Sequence, residues 1–277
     1  MTRFRLLVAI LSLLAAPARA QDTVRIGTYS HYPPWTIRDD QGTIRGFEID
    51  MIAELCPRMG ASCTVSPVTW ERVFDDLDTG VYDIYIGGMA KTAERARRVD
   101  FSEPYAETSG CFMTTAHNPL ISVMSLNRIN LDREEARPSG ALRDFIQALH
   151  GRRIGVHVGT TFETFADRYL KSEAQVVLYT SELAQYQDLA AKRLDAVMAG
   201  SSAVYEFVTL RSQETDPPMR FGPILTGSVL GEGVAAAMKR DNHELRARLN
   251  TALAAAKADG TLARLSLKWF GYNVVPN

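Results

Sequence analysis

The chain has 277 residues, 46% of them apolar, and a formal charge of −1. That length and apolar content suit one large or two medium globular units with a full core. The charge balance is wrong for a nucleic-acid binder, which carries a marked excess of lysine and arginine.

Residues 1–20, MTRFRLLVAILSLLAAPARA, place Arg3 and Arg5 before an apolar run and Ala18-Arg19-Ala20 after it. This is the pattern of a bacterial export leader with the mature start near Gln21, and the run is too short for a stable membrane span. Cleavage removes three arginines and no acid, which takes the charge from −1 to −4. It also sends the chain to a compartment that permits disulfides, so Cys56 and Cys63 in LCPRMGASC are expected to pair, joining a helix end to a strand start. Cys111, in the apolar SGCFMTT, is left as a small buried hydrophobe, and the five histidines are too dispersed to show a metal site.

Strand and helix signals alternate from the leader onward. Residues 23–29 read as a strand; 47–59 as a helix with Phe47, Met51, Ile52, Leu55 and Met59 on one face; 63–68 as a strand; 70–77 as a helix; 82–86 as a strand. Residues 120–139 are polar and irregular, a surface excursion before an amphipathic segment at 142–150. The alternation then repeats, with strands at 154–158, 176–179 and 195–199 separated by helices at 162–170 and 182–192. Residues 241–270 are helical, with one stripe at Leu245, Leu249 and Leu253 and a second at Leu262, Leu265 and Trp269. Two successive βαβαβ units imply an α/β protein with two lobes of mostly parallel sheet. Packing the terminal helices on the first lobe makes the chain cross between lobes twice, near 108–116 and 220–224, and two crossings make a hinge.

Residues 83–105, DIYIGGMAKTAERARRVDFSEPY, carry the chemistry. A strand runs into Gly87 and Gly88 and then reaches Arg95, at the end of a strand where an open α/β sheet binds its ligand. An arginine there suits a carboxylate, which its planar fork meets bidentately, although Arg95, Arg97 and Arg98 also fit a solvated basic face.

The order and spacing of GTYSHYPPWTI, GFEIDMIAEL, TAERARRVDFSEPY, IGVHVGTT, LDAVMAG and ADGTLARLSLKWFG resemble the periplasmic solute-binding proteins of the polar amino-acid and opine class, which serve ABC importers. The resemblance covers the whole mature chain. It implies the two-lobed type II binding-protein fold, with lobe one at 21–112 and 222–277 and lobe two at 113–221. It further implies a monomer in the periplasm, a small amino-acid-like ligand, a membrane permease as partner, no cofactor and no catalysis. Arg95 then clamps the ligand carboxylate from lobe one, and Thr160 and Thr161 meet it from lobe two at a helix start. Tyr32 and Trp70 flank the ligand side chain, Gly88 offers its backbone, and His157 touches ligand from lobe two.

The departures from the family pattern also matter. Gly200 stands where binders of free α-amino acids carry an aspartate for the α-ammonium. Ala90 replaces a hydroxyl residue, and Tyr29 replaces the acid of basic amino-acid binders. A buried ammonium without a charge partner costs several kcal/mol, so an opine or a modified amino acid is favoured over a simple one, with Glu163, His157, Ser201 or Ser202 as compensating groups. The alternatives are a plain polar amino-acid binder and a cyclohexadienyl dehydratase on the same scaffold, for which Glu163 is the candidate acid.

Overall fold

The computed structural model describes residues 22–134 and 139–276, so the expected leader lies outside the described residues. Strand Asp22–Thr28 turns Val24 and Ile26 into the interior and pairs in parallel with Ala61–Pro67 on one side and Ile84–Tyr85 on the other. Between the first two strands runs helix Phe47–Arg58, where Phe47, Met51, Ile52 and Leu55 repeat at helical spacing and are all buried. Acids in its first turn and Arg58 in its last complement the helix dipole. The helix ends at a tight turn into Ala61–Pro67, and the Cys56–Cys63 disulfide ties the two with their Cα atoms 6.0 Å apart.

Two strands that the periodicity did not reveal complete this sheet. Ala237–Lys239 lies antiparallel between Ile84–Tyr85 and Val99–Phe101. The C-terminal helices His243–Ala258 and Thr261–Phe270 pack on Phe47–Arg58: Leu245, Leu249, Leu253, Leu262 and Leu265 share one core with Phe47, Met51 and Leu55. Trp269, expected in that stripe, is only partly buried and donates its indole N–H to Asp50. Lobe one is therefore built from both ends of the described chain.

Lobe two repeats the first unit. Strand Arg153–His157 is flanked in parallel by Gln175–Tyr179 and Ala196–Gly200, with helices Thr161–Tyr169 and Glu182–Ala190 as the connections. The repeat extends to side chains. Asp83 and Asp195, each just before a third strand, accept both the backbone N–H and the guanidinium of an arginine on the first strand, Arg25 in one lobe and Arg153 in the other.

The remaining strands of lobe two correct the sequence reading. Gly110–Thr115 is buried at every residue and runs antiparallel to both Ala196–Gly200 and Pro218–Thr226. A strand covered on both faces has no alternation to detect. The supposedly irregular excursion holds the edge strand Met124–Asn130, parallel to Pro218–Thr226. Because Gly110–Thr115 and Pro218–Thr226 pair across Phe112 and Phe221, boundaries at 112 and 221 would cut both strands. Sheet membership puts the crossings at 107–109 and 227–233, a few residues nearer lobe one, where Thr108 donates to Gly231 O at 2.7 Å. The helix expected at 70–77 also divides, into a single tight turn Trp70–Arg72 and helix Val73–Asp78.

The disulfide closes a loop of sequence separation 7. The double variant Cys56→Ala/Cys63→Ala is expected to lose about 2 to 3 kcal/mol of unfolding free energy in denaturant titrations, from the regained chain entropy of so short a loop. Both cysteines lie away from the interlobe cleft, so its ligand affinity is expected to stay unchanged.

Candidate functional site

The two sheets face each other with the carboxyl ends of their parallel strands, the usual place for a ligand in open α/β sheets. A cavity of about 360 Å3 lies between them. From lobe one it is lined by Tyr29, Tyr32, Trp70, Gly88, Ala90 and Arg95, and from lobe two by His157, Thr160, Thr161 and Gly200. The residues singled out in the sequence are thus brought to one place.

Arg95 sits in a short turn, Arg95–Arg97, after the Gly87-Gly88 strand end. Its two terminal nitrogens donate to Ala90 O at 2.8 Å and, across the cleft, to Gly159 O at 3.0 Å. Its guanidinium lies over the Trp70 ring, 5.1 Å from the centroid. Among the described residues no carboxylate lies within ion-pair distance of it, and burial pulls its pKa down to about 10. The neighbouring arginines behave differently: Arg98 is paired with Asp75 and Asp78, and Arg97 is exposed. The basic run is therefore split between a surface ion-pair cluster and one arginine in the cavity.

Opposite Arg95, Thr160 precedes helix Thr161–Tyr169 in extended conformation, but its hydroxyl donates back to His157 O at 2.6 Å, and no side chain caps the helix start. The first-turn amides of this helix are a ready anion site. Glu163 bends back to accept from Gly159 N at 2.6 Å and does not line the cavity. It shapes the turn that Arg95 touches.

Tyr32 explains two glycines. Gly88 has φ +66°, a left-handed conformation that favours glycine, and a Cβ there would sit 2.6 Å from the Tyr32 ring. A Cβ on Gly200, in the other lobe, would be 2.3 Å from the Tyr32 hydroxyl. Tyr32 therefore leans on the lobe-one glycine and reaches the strand end of lobe two, filling the room a side chain at position 200 would need. Trp35, next to it, donates to Ser202 Oγ at 2.9 Å across the lobes.

Beneath Gly88, Glu48 is fully buried and accepts from Gly88 N at 2.7 Å and from the Tyr105 hydroxyl. This fixes the backbone that carries the strand end. Burial raises the Glu48 carboxyl to about 7, against the pull of Tyr105 and Gly88.

Sequence reasoning missed Glu182, Trp35, Glu107 and Arg128, all in the cavity wall. Glu182 looked like an ordinary first-turn acid of a helix, and Arg128 lay in a stretch read as irregular. Arg128 and Glu107 approach to 3.8 Å with both side chains more than half exposed, which contributes little. Glu182 is buried, 3.8 Å from His157 Nδ1.

Two lobes joined by two crossings around a cleft, with a cation on one wall and a helix N-terminus on the other, define a solute-binding protein. The chain belongs to the bacterial extracellular solute-binding proteins, family 3, whose profile matches residues 24–272. It is 30% identical to an L-arginine-binding protein of Pseudomonas aeruginosa over 99% of this chain and 98% of that one. It is 27% identical to an octopine-binding periplasmic protein of Rhizobium meliloti, over 98% of each. Among solved structures, an ancestral arginine-binding protein bound to glutamine superimposes with a TM-score of 0.75 at 26% identity, covering 91% of this chain and 100% of that one.

Glu48 makes a pH signature. Its carboxyl titrates near 4.5 unfolded and near 7 folded, so the stability it carries is full below pH 4.5 and is lost as pH rises through 7. The loss is about 3 kcal/mol between these limits. Melting temperature is expected to fall from pH 5 to pH 8 in the wild type and to fall less in Glu48→Gln; equal slopes would contradict the assignment.

Proposed function

We propose that the protein captures an amino-acid-like solute by its carboxylate in the interlobe cleft and presents the closed form to an ABC importer in the periplasm. The observation that carries this is Arg95, a half-buried guanidinium held by two carbonyls and no acid, facing the uncapped helix at Thr161. A carboxylate between them satisfies both, since Arg pairs with it through parallel N–H donors and the helix start favours an anion. Closure follows because the ligand bridges walls that belong to different lobes, which stabilises the closed state only when both contacts form. The crossings at 107–109 and 227–233 are the hinge in this reading.

Within that class, an opine or another substituted amino acid fits best. Tyr32 takes the space at Gly200 where an acid for a free α-ammonium would stand, and Ala90 and Tyr29 bring no negative charge. A substituted nitrogen needs less from that corner. The octopine-binding relative is consistent with this choice. Acid chemistry on a cyclohexadienyl compound is not favoured, because Glu163, the acid expected for it, caps a backbone turn outside the cavity. Incubation with prephenate or arogenate is expected to give no aromatic product.

Arg95→Ala is expected to weaken binding of octopine or arginine in calorimetry by roughly 30-fold or more, the cost of truncating one partner of a buried charge pair. The same variant is expected to melt no lower than the wild type without ligand, since burial disfavours the charge it removes. Unchanged affinity would overturn the carboxylate assignment.

A further inference from the structure

Glu182 opens helix Glu182–Ala190 behind the strands of lobe two, one residue after Ser181, whose hydroxyl accepts from Ala184 N. A first-turn acid normally points to solvent and gains from the helix dipole. Glu182 instead is only 8% exposed and lines the cleft. The dipole is worth about 1 kcal/mol at most sites, which does not offset burying an unpaired carboxylate. Among the described residues no lysine or arginine lies within ion-pair distance of it. Among the described residues the basic group within ion-pair distance of it is His157, with Nδ1 at 3.8 Å, beyond hydrogen-bond reach.

The surroundings are polar and short of partners in the same way. His157 is 4% exposed and lines the cavity, and its Nε2 has no hydrogen-bond partner among the described residues. The Tyr186 hydroxyl, one helical turn from Glu182, is buried and equally unpartnered. Tyr29 closes this corner from lobe one, its ring centroid 6.4 Å from that of His157. A polar group buried without a hydrogen bond is costly. Tyr186 lies outside the cavity lining, but Glu182 and His157 are on the cavity wall and are accounted for when a ligand group supplies the missing charge and donors.

We infer that Glu182, flanked by His157, forms a second recognition subsite on lobe two, which takes a guanidinium or ammonium group distal to the carboxylate held by Arg95. The orientation rests on the Arg95 reading given above; the acid and its lack of a cationic partner do not. The protein then binds solutes carrying a carboxylate at one end and a positive charge at the other, and Glu182 supplies the negative charge that positions 29, 90 and 200 lack. Burial raises the pKa of the Glu182 carboxyl, with His157 and His31 pulling it down.

The test is calorimetry on the wild type, Glu182→Gln and Arg95→Ala with octopine, L-arginine and L-citrulline, the last carrying a neutral group in place of the guanidinium. The wild type is expected to bind arginine roughly 10- to 100-fold tighter than citrulline, the range for a hydrogen bond to a charged group. Glu182→Gln is expected to erase that preference and to weaken octopine by a similar factor, with its circular dichroism unchanged. Equal wild-type affinity for arginine and citrulline overturns the inference without any variant. So does an arginine preference or octopine affinity that survives Glu182→Gln. If arginine and citrulline are bound equally but are both lost in Arg95→Ala, only the Glu182 subsite falls. If the preference depends on Glu182 but Arg95→Ala binds normally, only the carboxylate reading falls. Failure of all three probes to bind the wild type overturns both.

Discussion

The structure turns on one guanidinium that has no acid of its own. Arg95 is held at the junction of two lobes by backbone carbonyls, one from each side, and its charge is compensated by no carboxylate among the described residues. Carbonyl dipoles and the Trp70 face soften the cost of burying it but do not cancel it. The cleft is therefore electrostatically unfinished, and in the proposed function an anionic ligand group completes it. The pull of the cleft on its ligand and the pull of one lobe on the other then have the same origin, because Arg95 reaches the lobe-two turn at Gly159.

The strand framework behind Arg95 is built twice. An aspartate clamps the first strand of each lobe to the third, through Arg25 in one and Arg153 in the other, and the free ends of those strands become the two walls. The walls differ in chemistry. Lobe one brings cation, aromatic rings and a left-handed glycine fixed by Glu48; lobe two brings a helix start and a buried acid. Tyr32 spans the gap, pressed against Gly88 and reaching Gly200, so a side chain added at either glycine meets the same ring.

Much of this was legible in the sequence, for reasons that can be named. The paired βαβαβ units show because each strand is bounded by a helix with a clear apolar face, as in Phe47–Arg58. Arg95, Thr160 and Gly200 could be placed because they sit in ordered motifs at strand ends. Gly110–Thr115 escaped because it is buried on both faces, and Ala237–Lys239 and Val99–Phe101 because three residues carry no period. Glu182 escaped for a different reason. Local sequence marks it as a solvated helix-start acid, and only the packing of its helix against Arg153–His157 turns it inward. Burial of a single polar side chain is a property of tertiary contact, and a local pattern does not encode it.

The most direct test of the central claim is a crystal structure with the ligand that most raises the melting temperature in a screen of opines, amino acids and small carboxylates. The predicted result is a carboxylate within hydrogen-bond distance of the Arg95 guanidinium and of the first-turn amides of helix Thr161–Tyr169. A ligand seated in the cleft with its carboxylate elsewhere, and Arg95 still donating only to Ala90 and Gly159, would contradict it.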